Sequence, residues 1–393
     1  MTGSDQTSAA IRSVILLGDE GSRLWGISGR ERLRRAFRRA GLAEERLSPA
    51  AALPAEGEVI IARMDYLYEE SLVRALVGVG DVLLTEGAGG TGLPVAARVD
   101  APLAELVLRH IETGGEAPAP STLRRAGPDE LGSSYDHALR KRAQPYLRSM
   151  QTTPRIELER LSFAGAYKGV TDFVTKWLWP APAMMVTRWA AERGISPNSV
   201  TFVSLIFVLL ALWLFAEGMF AAGLVAAWLM TFLDTVDGKL ARVTLTSTKW
   251  GNVFDHGIDL IHPPFWYWAW WYGLGAGGVA LGMSIDLAFW IVFVGYFVGR
   301  ALEGLFIWQF GIELHAWRRV DSWFRLFTAR RNPNLAILTV AVLLGRPDAG
   351  LVCVAFWTIA STLFHVVRIG QAFLARSAGR RPVSWLAEPE PRR

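Results

Sequence analysis

Four aspartates lie close together in the stretch DTVDGKLARVTLTSTKWGNVFDHGID. Asp234 and Asp237 are three residues apart, and Asp255 and Asp259 are four residues apart. On a helix, either spacing puts both carboxylates on one face. Because apolar runs flank the stretch, we expect two antiparallel membrane helices that bring all four acids together just inside the cytoplasmic surface.

Four ionised carboxylates in such a place need positive charge. One charged Asp at the centre of a membrane helix costs about 2.5–3.5 kcal/mol, and neighbouring acids also repel one another. Protonation would relieve the repulsion, whereas a divalent cation would relieve it and use the oxygen atoms as ligands. Oxygen ligands select hard ions such as Mg²⁺, Mn²⁺ or Ca²⁺. Four carboxylates can hold two ions, and paired ions suit displacement at phosphorus.

Small and basic residues in the same stretch predict a phosphorylated ligand. Gly238 and Gly251 lack side chains, so a ligand or another backbone can approach them closely. Ala241 is small and lies about one helical turn beyond Gly238. The planar guanidinium of Arg242 suits a phosphate group.

Long apolar runs dominate the chain from about residue 200, which is typical of transmembrane helices. The chain has 393 residues, 51% of them hydrophobic, with 17 Trp and a net charge of +5. We predict an all-α domain with six membrane spans, at about 200–217, 219–239, 251–273, 284–310, 332–346 and 349–373.

With both termini in the cytoplasm, most Lys and Arg of the loops lie on the cytoplasmic side of a cell (inner) membrane. The positive charge favours a partner of anionic lipid, and no basic patch indicates nucleic acid.

The first 130 residues alternate short apolar strands with helical segments, which predicts a cytoplasmic α/β domain with a mostly parallel sheet. Its first ten residues, MTGSDQTSAA, have no apolar core, so we expect no cleavable signal peptide.

Residues 131–198 are expected to form a basic connector followed by Trp-rich amphipathic helices at the bilayer surface. The alternative for those helices is an ordinary amphipathic pair on the soluble domain. Residues 199–375 form the membrane domain, and residues 376–393 a basic cytoplasmic tail. Cys353 is the only cysteine, so no internal disulfide can form.

The aspartate stretch has the pattern D-x₂-D-G-x₂-A-R-x₈-G-x₃-D-x₃-D, and PNSVT at 197–201 precedes the first span. Both elements resemble the CDP-alcohol phosphotransferase family, over about residues 160–375. The resemblance implies an enzyme that moves a phosphatidyl or other phospho-alcohol group from a CDP-linked donor to an alcohol, with release of CMP. It also implies two Mg²⁺ or Mn²⁺ ions, a role in phospholipid biosynthesis and a homodimer.

The resemblance also assigns roles to individual residues. Asp234, Asp237 and Asp255 would hold one ion, Asp234, Asp255 and Asp259 would contribute to the second, and Asp259 would act as general base. The nucleotide would lie against a set of small and polar residues: Gly238, Ala241, Arg242, Gly251, Asn198 and Thr201.

Arginines in or beside the later spans are candidates for the acceptor pocket. Arg300 and Arg368 lie within predicted spans, where charges face a cavity or a partner. They could hold the phosphate of a polyol-phosphate acceptor, and Arg331 could line the same pocket. The alternatives are that Arg300 pairs with Glu303, and that Arg331 only contributes positive charge on the cytoplasmic side.

The N-terminal domain weakly resembles sugar-phosphate nucleotidyltransferases, with Asp65 at the Mg²⁺ position after a strand. Asp19 and Glu20 stand in the phosphate loop, where they would repel a triphosphate. We therefore predict a degenerate, inactive relative.

The sequence is consistent with two hypotheses about the substrates and with one unrelated class of membrane protein. The donor is CDP-diacylglycerol, or it is CDP-inositol, used with inositol phosphate to make a soluble phosphodiester. Enzymes that make CDP-inositol are sometimes fused to such transferases, which is why the second reading is kept. A membrane transporter or metal-binding scaffold could also carry intramembrane acids, but neither requires the small residues and Arg242 at these spacings.

Overall fold

The structure is a computed structural model that describes residues 11–20, 23–43, 47–48, 53–275 and 277–387. The predicted polar start at 1–10 and the end of the basic tail at 388–393 therefore lie outside the described residues. The same is true of a few side chains within described helices and strands, those of Leu47, Ser48, Lys249, Asn252 and Asp255.

The N-terminal domain is built on a six-stranded sheet, with helices on both faces. Its strands lie in the order β2-β1-β3-β6-β5-β7. Their bounds are β1 Ile11–Leu17, β2 Leu47–Ser48, β3 Glu58–Arg63, β5 Val82–Thr85, β6 Pro94–Asp100 and β7 Arg124–Ala126; a short β4 covers Tyr66–Tyr68. The helices are α1 Gly29–Arg39, α2 Glu70–Gly78, α3 Ala101–Glu112 and α4 Pro128–Leu131.

Apolar side chains on alternate positions of the strands explain the layering. Val14 and Ile60 pack on one face with α1 and α2, whereas Ile15 and Ile61 pack on the other face with α3. A strand whose successive side chains point to opposite faces must be apolar at both sets of positions when helices cover both faces.

The sheet is mixed, which corrects the expectation of a mostly parallel one. Strand β1 pairs in parallel with β2 and β3, and β5 pairs in parallel with β7. Strand β6 runs antiparallel to both of its neighbours, β3 and β5. Its short apolar run predicts a strand but carries no information on direction.

The connector adds short strands and two further helical regions. Strands β8 Tyr135–Asp136 and β9 Lys141–Arg142 form a hairpin, and β10 Leu147–Ser149 pairs antiparallel with β4. Helix α5 covers Arg155–Gly165, and a π-helical turn at Val174–Leu178 leads into α6 at Pro180–Glu192. Trp177 and Trp189, predicted to face the bilayer surface, are both exposed.

Six helices and a short helical link make up the C-terminal part. The helices are α7 Pro197–Ala216, α8 Phe220–Val243, α9 Lys249–Leu274, α10 Ile285–Phe310, α12 Arg331–Leu343 and α13 Pro347–Ser377. A hairpin of β11 Val279–Ala280 and β12 Met283–Ser284 precedes α10, and α11 Arg319–Arg325 follows it. Phe215, Trp270 and Leu351 lie in the shared apolar core.

Within the described residues, four helices are long and apolar enough to cross a membrane: α7, α8, α10 and α13. The prediction of six spans is thus supported for four helices only. Helix α12 has 13 residues, fewer than the roughly 20 that span a bilayer. Helix α9 has 26 residues but contains the run FWYWAWWY, whose Trp and Tyr rings favour membrane–water interfaces.

Candidate active site

Helices α8 and α9 carry the two pairs of acids, and both helices pack against α7. Asp234 and Asp237 lie one turn apart near the end of α8, and Asp259 lies in the first half of α9. The helix start of α9 is fixed by Thr248, whose hydroxyl accepts a hydrogen bond from the backbone N–H of Gly251 at 3.0 Å. Asp255 lies on the same helix, but its side chain is outside the described part of the structure.

Arg331 joins the two halves of the aspartate motif. Its guanidinium donates to Asp234 Oδ2 at 2.5 Å and also to Asp259 Oδ1. One planar group reaches both carboxylates, so the acids of α8 and α9 converge on a single point. The structure thus places Arg331, an acceptor candidate from the sequence, directly against the predicted metal ligands.

Asp237 is held by the first helix of the membrane domain. The hydroxyl of Thr201 lies 2.6 Å from Asp237 Oδ2, and both residues are buried. A charge-assisted hydrogen bond of this kind fixes the orientation of a carboxylate. The family resemblance assigns Thr201 to nucleotide binding, and no local sequence pattern indicates its contact with Asp237.

The glycines of the predicted nucleotide site lie close to the side chains of other predicted site residues. A Cβ atom added to Gly251 would lie 3.0 Å from Asn198 Oδ1, and one added to Gly238 would lie 3.0 Å from Arg242 Nη2. The PNSVT element and the aspartate stretch are therefore neighbours in space. Ala241 lies on α8 beside Arg242.

The residues fit a hard divalent ion. Three described carboxylates, of Asp234, Asp237 and Asp259, offer oxygen ligands, which is the donor type that Mg²⁺ and Mn²⁺ prefer. The guanidinium of Arg331 already shows that Asp234 and Asp259 present oxygens to one centre of positive charge.

The arginine of α10 forms the pair that the sequence left as an alternative. Arg300 Nη1 lies 3.0 Å from Glu303 Oε2, and Arg330 donates to the same carboxylate. Arg368 is bound to Asp321, at 2.5 and 2.9 Å, and Asp321 is fully buried. These contacts show protein partners for both arginines and leave their predicted role in acceptor binding untested.

Glu303, His315 and His365 form a second cluster that could hold a metal ion by distance, with ligand atoms within 4.8 Å of one another. Burial lowers the pKa of His315 to about 3, so its ring is neutral at physiological pH. However, Glu303 Oε1 already accepts a hydrogen bond from Arg300 Nη2 at 3.1 Å, and Glu303 Oε2 lies 3.0 Å from Arg300 Nη1. Because Arg330 is also paired with this carboxylate, an added dication there would meet two positive charges.

Asp65, the predicted Mg²⁺ position of the N-terminal domain, is fully buried and bound to its neighbour Arg63 at 2.6 and 3.0 Å. Its carboxylate is therefore engaged within the protein. Part of the predicted phosphate loop, at residues 21–22, lies outside the described residues.

Comparison with known proteins identifies the segment that contains these aspartates. The family model for CDP-alcohol phosphatidyltransferases matches residues 194–315. A search of curated proteins found no match. The matched segment includes the four aspartates and Asn198, and it ends before Arg331. The chain therefore contains a CDP-alcohol phosphatidyltransferase domain at residues 194–315.

Proposed function

We propose that the protein is an integral-membrane phosphotransferase that moves a phosphatidyl group from CDP-diacylglycerol to an acceptor alcohol and releases CMP. The observation that carries this proposal is the convergence of Asp234 and Asp259 on one guanidinium, inside the segment that matches the family. We place the reaction in phospholipid biosynthesis at the cell membrane, with the protein acting as a homodimer.

Asp234, Asp237 and Asp259 would hold Mg²⁺ or Mn²⁺, together with Asp255 as the family resemblance implies. When bound, the ions would neutralise the pyrophosphate of the donor and stabilise the charge that develops on the leaving CMP. The nucleotide would lie against Gly238 and Gly251, where the missing side chains leave room for it.

Asp259 is the residue we assign as general base. Its side chain is 40% exposed, against 17% for Asp234, so an acceptor hydroxyl can reach it more easily. The hydroxyl oxygen forms a bond to the phosphorus that bears the lipid, and the bond from that phosphorus to CMP breaks. The hydroxyl proton passes to the carboxylate of Asp259, which must lie within hydrogen-bond reach. Arg331 holds Asp259 and Asp234 in this orientation before substrate arrives.

A phosphorylated acceptor is favoured by the concentration of arginine beside the site. Arg300, Arg330 and Arg331 come from α10 and the start of α12. Their ion-pair partners among the described residues are Glu303, Asp234 and Asp259. Arg300 and Arg331 are our candidates for the phosphate of the acceptor, and Arg368 is kept as a third. The same cluster of arginines would also suit the alternative substrates, CDP-inositol with inositol phosphate.

The proposal is tested by CMP release from purified protein in detergent with Mg²⁺ or Mn²⁺. CDP-diacylglycerol is supplied with inositol phosphate, glycerol phosphate, serine or inositol, and CDP-inositol is supplied separately with inositol phosphate. We expect metal-dependent CMP release with one pairing, which also names the substrates. Absence of CMP with every pairing, in protein that remains folded, would contradict the proposed reaction.

A further inference from the structure

A cavity of about 710 Å³ lies between the N-terminal domain, the connector and the loop that joins α8 to α9. Its volume is in the range of small-molecule sites, about 300–1,000 Å³. Arg242 and His256 of the aspartate stretch line it from the membrane side. Six cationic residues and three acidic ones line the cavity, which leaves an excess of positive charge; the cations are Arg32, Arg39, Arg74, Lys141, Lys168 and Arg242.

The N-terminal domain is hydrogen-bonded to the end of α8 and to the loop that joins α8 to α9. Arg32 Nη1 donates to the carbonyl oxygen of Val243 at 3.2 Å, and Arg35 Nη1 donates to that of Thr244 at 2.8 Å. Leu245 is buried in the apolar core that contains Phe37 of α1. The N-terminal domain is therefore docked where the chain passes from the first pair of aspartates to the second.

Lys168 is a partly buried cation in the wall of this cavity. Its side chain is only partly exposed, and it forms no side-chain hydrogen bond or ion pair within the described part of the chain. Burial lowers the pKa of Lys168, and the positive charges of Arg140 and Arg242 lower it further. Because two arginines add positive potential at Lys168, a phosphate bound in the cavity would offset part of their repulsion of its ammonium group.

We propose that this interdomain cavity binds a phosphate group of a water-soluble substrate moiety, with Lys168 as a binding residue, so that the N-terminal domain forms one wall of the substrate site. The inference rests on the proposed transferase function. The phosphate belongs either to the nucleotide part of the donor or to a phosphorylated acceptor, and both present anionic phosphate oxygens to Lys168.

The test compares Lys168→Met and Lys168→Arg with Lys176→Met, which removes an exposed lysine that does not line the cavity. KM is measured separately for the donor and for the acceptor in the CMP-release assay. Binding of CDP to the purified protein is measured by calorimetry, as a readout that does not require turnover. A charged hydrogen bond contributes about 1.5–3 kcal/mol, so we expect Lys168→Met to weaken one ligand roughly tenfold or more.

A raised KM for the donor together with weaker CDP binding would assign the phosphate to the nucleotide. A raised KM for the acceptor alone would assign it to the acceptor. In either case Lys168→Arg should retain most of the affinity and Lys176→Met all of it. Unchanged KM values and unchanged CDP binding in Lys168→Met, with an active wild type, would overturn the inference while leaving the proposed function intact. If the wild type released no CMP, the proposed function would fail, and calorimetry with CDP and with inositol phosphate would decide the inference. Weaker binding of either ligand to Lys168→Met would support it, and equal affinity for both ligands would overturn it.

Discussion

Arg331 makes contacts in the candidate site that the sequence does not predict, those with Asp234 and Asp259. The spacing of the aspartates predicts their pairing on two helices, but not what lies between them. Arg331 begins α12, about 70 residues beyond Asp259 in the chain, and only the packing of the helices brings it to the acids. Its guanidinium satisfies the charges of Asp234 and Asp259, the same two carboxylates that we assign to the metal.

Arg331 and a divalent ion should therefore compete for the same oxygens. We expect Arg331→Met to lower the melting temperature in EDTA, because Asp234 and Asp259 lose their cation. We also expect Mg²⁺ to raise the melting temperature of the variant more than that of the wild type, because an ion that binds only the folded state stabilises it. The measurement is thermal unfolding in detergent with EDTA and with Mg²⁺.

Arg346→Met is the control, since Arg346 is exposed and pairs with Asp348 at the start of α13, away from the motif. It should leave the effect of Mg²⁺ unchanged. An identical Mg²⁺ effect in Arg331→Met and the wild type would show that the ion does not use these carboxylates.

Asp172, before the π-helical turn, should make stability depend on pH. Burial raises the pKa of its carboxyl, but the charge of Arg325 and hydrogen bonds from Thr175 and Asn332 outweigh burial, so the pKa is lowered overall. A lowered pKa in the folded state means that the carboxylate stabilises the fold above the unfolded value, about 3.9 for Asp. That stabilisation is lost as the pH falls through the folded pKa.

We expect Asp172→Asn to unfold at a lower temperature than the wild type at pH 7. The gap between the two should shrink as the pH falls below about 4, because the unfolded state takes up the proton first and Asp172 of the folded state follows at lower pH. Thermal unfolding at pH 7, 5 and 3 measures this. A gap of the same size at pH 7 and pH 3 would exclude the carboxylate charge as the cause.

At the scale of helices and strands, periodicity predicts most elements within a few residues. The apolar runs IRSVILL and DVLLTE predict strands, and the structure has strands at Ile11–Leu17 and Val82–Thr85. The basic segment RERLRRAFRRAGL predicts a helix, which covers Gly29–Arg39. A strand or helix that buries one or both faces has apolar residues at a characteristic spacing, and this spacing is visible in the local sequence. The direction of β6 leaves none, because an antiparallel and a parallel buried strand have the same apolar content, so the mixed sheet could not be derived.

The same limit applies to the candidate site. The aspartates share helix faces because i+3 and i+4 spacing is local information, and this part was predictable. The contacts of Thr201 with Asp237 and of Arg331 with both α8 and α9 depend on how whole helices pack. No local pattern of residues records that packing.

Gly273 shows how closely α7 and α9 pack. A Cβ atom at this position would lie 2.0 Å from the carbonyl oxygen of Phe215, which is backbone and cannot rotate away. We expect Gly273→Ala to destabilise the protein by about 1–3 kcal/mol, as overpacking does, and to lower its melting temperature in detergent.

Gly304→Ala is the matched substitution on α10, where an added Cβ would have no atom within 4 Å. Replacing an exposed Gly inside a helix by Ala stabilises the folded protein by about 0.5–1 kcal/mol, so Gly304→Ala should not lower the melting temperature. Equal effects of the two substitutions would mean that α7 and α9 are not in close contact.

At the scale of the whole molecule, the tail returns to the connector. Arg142 Nη2 donates to the carbonyl oxygen of Leu386 at 2.9 Å, and Ser384 donates to that of Ala316 at 2.9 Å. Segments in such contact lie on one side of a membrane, which requires an even number of crossings. Four and six spans both satisfy this condition, so the connector and the tail are expected on the same side of the membrane.

Cysteine labelling can test that arrangement. In a Cys353→Ala background, single substitutions Arg109→Cys on α3 and Arg380→Cys in the tail introduce thiols at exposed positions. We expect a membrane-impermeant reagent to label neither site in intact cells and both after permeabilisation. Labelling of one site but not the other in intact cells would contradict a shared side.

The central claim is that the converged aspartates transfer a phospho-alcohol group, and Asp259→Asn tests it most directly. The measurement is CMP release in detergent with Mg²⁺ and the substrate pair found for the wild type. Loss of a general base lowers rates by about 10²–10⁴-fold, so we predict at least a hundredfold fall in kcat. Asp348→Asn, which changes an exposed acid paired with Arg346, should keep the wild-type rate. An Asp259→Asn protein that releases CMP as fast as the wild type would contradict the account.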